Sequence, residues 1–356
     1  MKLKMAMVAA MGLGLVLPLP SAAETATCAD MPARGREDVE PLAQAGFSLS
    51  HEKRYAAAAE CYRKALAIDP GVPQLHLDLG LAEFKLGDLH AAIEPFRAAL
   101  SLDPKNAQAR TLLGMSYFGV AMYTEAVDTL TPLAEAQPRN AELRYVLAQS
   151  LLAGGRYEDA RKQFEWLERE TPDSASTHIL MAQALDGLSR PEEAIKELQA
   201  ALAVAPSQPD VHFAIGYIYW TQHKDDEAER EFHFELDHNP ADARAWTYLG
   251  DIEVRRNENA KARPLLEKAL ALDQKIHMAH FDLGVVFADA KQYDRAIAEL
   301  KEAIQLDASK PDAHYRLARV YRESGHPQEA AAELAVLAKL KEKKQQDEVQ
   351  KLRPKP

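Results

Sequence analysis

Similar segments of the sequence recur at an interval of 34 residues, and this interval limits what the chain can fold into. The segment YRKALAIDPGVPQLHLDLG begins at Tyr62, and FRAALSLDPKNAQARTLLG begins at Phe96. Related segments begin at Leu266 and Leu300. A fixed period of this length is typical of proteins that stack one small structural unit many times. The period therefore predicts a stack of similar repeats.

Alanine and glycine occupy the same two places in every period. When the first repeat starts at Val39, position 20 is alanine in all nine repeats, and position 8 is glycine in six repeats and alanine in three. Side chains this small let two helices pack at a short distance. The alanines of position 20 are Ala58, Ala92, Ala126, Ala160, Ala194, Ala228, Ala262, Ala296 and Ala330.

Prolines and further glycines divide each repeat into two helices. Gly87, Gly155 and Gly325 fall midway through their repeats, where they mark a turn. Position 32 is proline in six repeats, and proline cannot continue a helix. Each repeat is therefore predicted to be helix, turn, helix. The prolines are Pro70, Pro104, Pro138, Pro172, Pro206 and Pro240.

The pattern of leucine, glycine, alanine, aromatic residue and proline at positions 7, 8, 20, 24 and 32 resembles the tetratricopeptide repeat family. The resemblance implies an all-α fold, an α-solenoid of nine helix-turn-helix repeats that forms a right-handed superhelix. Residues 345–356 are expected to extend the last helix as a cap and to end as a tail. The predicted repeats are 39–72, 73–106, 107–140, 141–174, 175–208, 209–242, 243–276, 277–310 and 311–344.

Residues 1–23 have the pattern of a secretory signal peptide. Two lysines precede an apolar run from Met5 to Leu17, and a small-residue site precedes the cleavage expected before Glu24. The apolar run is shorter than the ~20 residues that span a bilayer, and an uncleaved anchor is the alternative. We therefore expect an exported protein, periplasmic or secreted, with a leader over residues 24–38 and no transmembrane span in the mature chain.

The sequence has two cysteines, Cys28 and Cys61. An oxidising compartment would allow them to form a disulfide that ties the leader to the first repeat. Alternatively, Cys61 is a small buried apolar residue and Cys28 lies in a loose segment. The sequence leaves both interpretations open.

The sequence contains no pattern typical of catalysis or of a cofactor. It has no glycine-rich phosphate loop, no His-Glu-x-x-His and no Cys-x-x-Cys. The net charge of −11 argues against nucleic-acid binding, which needs a basic surface. We therefore predict that the protein is not an enzyme and needs no cofactor.

Histidine recurs at position 4 of five repeats. Packed helices lie about 8–10 Å apart, so histidines of adjacent repeats would rarely reach a common metal ion. We expect these side chains to be half-buried packing residues and predict no metal site. They are His76, His178, His212, His280 and His314.

The resemblance implies that the first helix of each repeat lines a concave groove through positions 2, 5, 9, 12 and 13. Aromatic side chains there would be anchors for a partner, because they bury much apolar area at a small entropic cost. The alternative is that a neighbouring helix covers several of them. The predicted groove residues are Phe84, Met115, Phe118, Tyr145, Phe213, Tyr217, Trp220, Phe281 and Tyr315.

Five arginines are predicted to form a positive patch toward the C-terminal end of the groove. On an acidic chain such a patch would attract an acidic segment of a partner. The alternative is pairing within a helix, because Asp312 lies four residues before one of them and Glu323 four residues after another. The predicted anion contacts are Arg244, Arg255, Arg316, Arg319 and Arg322.

These observations favour a non-enzymatic scaffold of the periplasm or cell exterior that binds an extended or acidic segment of another protein in the groove. The alternative function is an accessory protein for the export or assembly of an anionic polysaccharide, for which aromatic residues and arginines would also serve. An enzyme would need a catalytic constellation that the sequence does not show.

Overall fold

A computed structural model of the chain describes residue 28, residue 31, residues 33–171 and residues 174–352. The predicted signal peptide, residues 1–23, lies outside the described residues, as does Pro172. The described chain forms eighteen α-helices and contains no strand, so the predicted all-α fold is confirmed. None of these helices is both long and apolar enough to cross a bilayer.

The chain divides into two compact blocks, an N-terminal block, Met1–Glu197, and a C-terminal block, Leu198–Pro356. Within each block, helices that follow one another in sequence pack as neighbours. The first nine helices are α1 (Val39–His51), α2 (Tyr55–Ile68), α3 (Pro73–Leu86), α4 (Leu89–Leu102), α5 (Ala107–Gly119), α6 (Tyr123–Ala136), α7 (Ala141–Ala153), α8 (Tyr157–Glu170) and α9 (Ala175–Gly187). The others are α10 (Pro191–Val204), α11 (Val211–Thr221), α12 (Asp225–His238), α13 (Ala243–Arg255), α14 (Asn259–Leu272), α15 (His277–Asp289), α16 (Tyr293–Leu306), α17 (Pro311–Glu323) and α18 (Pro327–Leu352).

Each turn inside a repeat passes through one residue in the left-handed backbone region. This residue is at position 15 in all nine repeats, and it is glycine only at Gly87, Gly155 and Gly325. In the other six repeats a residue with a side chain adopts the same conformation, at a cost of about 1 kcal/mol each. The turn geometry is therefore common to all repeats, although glycine marks it in only three.

The two helices of a repeat approach closely where position 8 is glycine. A Cβ atom on Gly80 would lie 2.6 Å from the ring of Phe96, and one on Gly284 would lie 2.6 Å from Leu300. The side chain at position 24 therefore rests directly on the helix backbone at position 8. The alanines at position 20 are fully buried in eight repeats, and Ala330 is 6% exposed. Small residues at these two positions set the packing of each helix pair, as the sequence predicts.

The structure joins Cys28 and Cys61 by a disulfide, with their Cα atoms 5.3 Å apart. Both residues are buried in the core around α1 and α2. A crosslink over a loop of this length stabilises a fold by about 3–4 kcal/mol when the entropy of the unfolded chain dominates. The sequence left open whether the two cysteines pair, and in the structure they form a disulfide.

Four of the five histidines at position 4 link the two helices of a repeat. In each case Nδ1 forms a hydrogen bond with a glutamate nineteen residues later. The fifth, His76, bonds through Nε2 to the carbonyl oxygen of Pro70. The linked pairs are His178–Glu197 at 2.7 Å, His212–Glu231 at 2.8 Å, His280–Glu299 at 2.6 Å and His314–Glu333 at 2.6 Å.

Two histidines of α15 have pKa values shifted in opposite directions. The hydrogen bond to Glu299 raises the pKa of His280 against the opposing effect of burial, and the carbonyl oxygen of Gln274 adds to the rise. Burial lowers the pKa of His277. Because the raised pKa reflects a stabilised imidazolium, the contribution of His280 to stability is complete below pH ~6.5 and is lost as the pH rises through the folded-state value. The sign for His277 is opposite, and its charging opposes folding as the pH falls below ~6.5.

We expect a histidine NMR titration to give a midpoint above about 6.5 for His280 and below it for His277. The Glu299→Gln substitution should lower the His280 midpoint, because it removes the carboxylate, and should change that of His277 little. A His280 midpoint that stays at or below 6.5, or that does not respond to the substitution, would contradict this account of the helix link.

Candidate partner-binding surface

The predicted groove residues of the N-terminal block are partly exposed. Phe84 of α3 and Phe118 of α5 pack on the core formed by α3 to α6 and keep part of their surface open. Met115 of α5 and Tyr145 of α7 are also half-buried, and burial raises the pKa of Tyr145. These four side chains contribute both to packing and to an accessible apolar surface.

The aromatic residues of α11 lie in a cluster that α13 covers. The ring of Tyr248 lies 5.6 Å from Tyr217, 4.8 Å from Trp220 and 5.3 Å from Phe232. Phe213 is only 3% exposed and Tyr217 only 8%. The prediction that these two residues offer accessible anchors is therefore wrong, because the next repeat places a tyrosine over them.

Trp220 lies at the edge of this cluster and keeps part of its surface exposed. Its Nε1 donates a hydrogen bond to Asp251 over 2.5 Å, and the guanidinium of Arg255 lies 5.1 Å from its ring centroid. The indole is thus held in place by polar contacts as well as by rings. The sequence prediction missed Tyr248 and Asp251, although an aromatic residue at position 6 was a visible departure from the other repeats.

Arg244 and Arg255 are each neutralised by two carboxylates. Arg244 forms ion pairs with Asp210 and Asp242, and its guanidinium lies 4.2 Å from the ring centroid of Phe213. Arg255 lies 2.9 Å from Asp225 and 3.0 Å from Asp251. The prediction that these arginines contribute to a free positive patch is therefore wrong.

Asp282 of α15 is a buried carboxyl group whose electrostatic environment includes Asp251 and Arg255. It is 2% exposed, and its Oδ2 accepts no hydrogen bond from the described residues. Burial raises the pKa of Asp282 well above its usual range, and Asp251 adds to the rise against the opposing charges of Arg255 and Arg316. Burial at this position therefore favours the neutral acid over the carboxylate.

The first helix of the last repeat, α17, presents the most exposed part of the predicted surface. Tyr315 is 56% exposed. Arg319 pairs with Glu323 at 2.9 Å, as the helical spacing predicted. In the described part of the chain, neither Arg316 nor Arg322 forms an ion pair. Phe281 of α15 is half-buried and packs on the core of the C-terminal block.

The chain is a helical-repeat protein. It has helix pairs in series, a left-handed residue at a fixed place in the turn of each pair, and small residues where the paired helices meet. Models of the tetratricopeptide repeat match residues 47–116, 117–184, 222–275, 250–311 and 287–353, and a TPR repeat model matches residues 190–222. The chain belongs to the tetratricopeptide repeat family.

Several solved structures are similar to this chain. The Cut9-Hcn1 hetero-tetramer of the APC/C matches with a TM-score of 0.52 and 16% identity, over 87% of this chain and 75% of that chain. MamA from Desulfovibrio magneticus RS-1 matches with a TM-score of 0.43 and 20% identity, over 48% of this chain and 96% of that chain. YrrB, described as a TPR protein with an unusual peptide-binding site, matches with a TM-score of 0.41 and 21% identity, over 50% of this chain and 91% of that chain. No curated protein matches the sequence. At this identity the likeness to Cut9-Hcn1 shows the fold alone.

The different environments of two tyrosines give a direct test of this surface. Replacing Tyr217 with alanine removes a buried ring and should reduce the free energy of unfolding by about 3–5 kcal/mol. Replacing Tyr315 with alanine should change it by less than about 0.5 kcal/mol, because that side chain is exposed. Urea unfolding followed by circular dichroism measures both values. Equal effects of the two substitutions would show that the assignment of buried and exposed tyrosines is wrong.

Proposed function

We propose that this chain is an exported, non-enzymatic scaffold of the periplasm or cell exterior that binds a segment of another protein at α17. The observation that carries the proposal is the exposed ring of Tyr315 on the helix that also carries Arg316 and Arg322, neither of which forms an ion pair in the described chain. Tyrosine and arginine are among the residue types that are enriched at the energetic centre of protein interfaces. A surface of this composition suits recognition rather than packing.

The charge of this surface favours an acidic partner segment. The whole chain carries a net charge of −11, so an acidic partner is repelled by most of the molecule and attracted where unpaired arginines lie. Each guanidinium can form two parallel hydrogen bonds with a carboxylate, which orients the partner as well as holding it. We therefore propose that the partner presents aspartate or glutamate next to a residue that covers the ring of Tyr315.

Proteins of related architecture support a binding role. The solved structure of Cut9-Hcn1 is a complex between different chains, and that of YrrB is described by its peptide-binding site. These properties are those of the two other proteins. We propose that the helix pairs of this chain likewise bind another protein.

Two observations support export. The first is the signal-peptide pattern of residues 1–23. The second is the disulfide between Cys28 and Cys61, because such bonds persist in oxidising compartments and are rare in the cytosol. Mass spectrometry of the protein from its native cells should give a chain that begins at Glu24, and a chain that retains residues 1–23 would contradict cleavage.

Photo-crosslinking in living cells tests the binding surface. A benzophenone amino acid in place of Tyr315 should crosslink to a discrete protein, because the ring lies at the proposed interface. The same amino acid in place of Phe234 is the matched control, since Phe234 is also exposed, at 49%, but lies on α12. Equal crosslinking at both positions, or none at Tyr315, would contradict the proposal.

Charge reversal then separates specific contact from general attraction. Once the crosslinked partner is identified and purified, Arg322→Glu should slow its association with the protein and weaken the dependence of the association rate on salt. Arg97→Glu changes the net charge equally on the N-terminal block, where Arg97 already pairs with Glu94, and should have little effect. If the partner proves to be an acidic polysaccharide such as alginate, binding will be seen with that polymer and no protein will crosslink, which would favour the alternative function.

A further inference from the structure

One of the four histidine–glutamate links has a second carboxylate beside it. Nδ1 of His178, on α9, lies 2.7 Å from Oε2 of Glu197 and 3.4 Å from Oε1 of Glu168. The three side chains come from α9, α10 and α8, and one ligand atom from each lies within 4.8 Å of the others. His178 itself is buried, with its side chain only 10% exposed. The cluster therefore places a buried nitrogen close to one oxygen of each glutamate.

The second carboxylate stands where the other repeats have an apolar residue. Glu168 is at position 28 of its repeat, and this position is leucine, isoleucine or alanine in the other eight. In the matching histidine–glutamate links of the C-terminal block, the neighbour at position 28 is Leu202, Leu270 or Ile304. Packing alone therefore favours an aliphatic side chain here, and a carboxylate carries a desolvation cost that calls for compensation. The other residues of this column are Leu66, Leu100, Ala134, Leu202, Leu236, Leu270, Ile304 and Ala338.

The described residues do not supply enough positive charge to compensate the carboxylates of Glu168 and Glu197. Neither Glu168 nor Glu197 pairs with a lysine or arginine of the described chain, and His178 is the shared partner of both. A single imidazolium can balance one carboxylate, whereas a divalent cation balances two and leaves the histidine neutral.

We propose that Glu168, His178 and Glu197 form a binding site for a divalent transition metal ion, of which zinc is the representative. One imidazole nitrogen and two carboxylate oxygens are a donor set that zinc accepts, with water completing the coordination. Tetrahedral bonds of about 2.0–2.1 Å place two ligand atoms about 3.4 Å apart. The separation between His178 and Glu168 already has this value, and the bond between His178 and Glu197 would open by about 0.7 Å to admit the ion.

The metal ion would connect two adjacent repeats. Glu168 belongs to the second helix of one repeat, and His178 and Glu197 belong to the two helices of the next. Since each repeat contacts mainly its neighbours, an ion at this junction would strengthen the coupling between them. The sequence argument against metal binding concerned histidines of neighbouring repeats, and this site uses only one histidine.

Isothermal titration of tag-free, chelator-treated protein with zinc chloride tests the site. We expect one zinc ion per chain, a higher melting temperature with zinc, and a tetrahedral absorption spectrum when cobalt replaces zinc. Glu168→Leu should bind zinc at least about tenfold more weakly, since even the loss of residues that only support metal ligands weakens binding 10- to 100-fold. This variant carries the residue that the column has in other repeats, so we expect it to fold without zinc as the unchanged chain does.

Glu299→Leu is the matched control. It removes the glutamate of an equivalent link whose position 28 neighbour is Leu270, and it should leave the zinc stoichiometry and affinity unchanged. Zinc binding that survives Glu168→Leu, or that is lost equally in Glu299→Leu, would overturn the proposal in favour of scattered surface histidines. Absence of any zinc-dependent heat or melting shift in the unchanged protein would also overturn it.

Discussion

The contact between positions 8 and 24 of each repeat is the constraint on which the rest of the structure depends. The side chain at position 24 rests on a residue without a Cβ atom in six repeats, and on Gly250 an added Cβ would lie 2.4 Å from Leu266. Because protein interiors are packed at near-crystalline density, so short an approach allows little freedom in how the two helices cross. The buried alanine at position 20 and the left-handed residue at position 15 complete a pair that every repeat builds in the same way. Which side chains face the neighbouring repeat and which face solvent then follows from their positions.

Tyr217 and Tyr315 lie at positions 9 and 5 of their repeats, both on a first helix, and the stacking of repeats covers them differently. Tyr217 is followed by another repeat whose Tyr248 packs on it, and it becomes part of a ring cluster. Tyr315 lies on the first helix of the last repeat, where no further first helix of the described chain covers it. The same logic applies to charge, since Arg244 and Arg255 form ion pairs with carboxylates of the preceding repeat, whereas Arg316 and Arg322 form no ion pair in the described chain. The exposed surface of α17 is therefore what the stacking of the described repeats leaves uncovered.

The sequence predicted the features that arise within a repeat better than those that arise between repeats. The period, the buried alanines and the helix pairs follow from local spacing, and the structure agrees with them. The glycine signal found only three of the nine left-handed turns, because residues such as Asn257 and Lys291 adopt that conformation when the flanking helices impose it. Helical spacing predicts charge pairs only within one helix, so it does not predict the contact between Asp210 and Arg244, which occupy position 2 of adjacent repeats. Comparing each column between neighbouring repeats would have found that pair, and it would also have singled out Glu168.

The central claim is that equivalent helix pairs, each packed on its neighbour, hold the fold together within each of the two blocks. Hydrogen exchange of the full chain, followed by mass spectrometry on overlapping peptides, measures local opening directly. The account predicts that amide protection rises in the helices and falls at the turns with a period of 34 residues, in both blocks. A single protected core flanked by helices that exchange freely, with no such period, would contradict it.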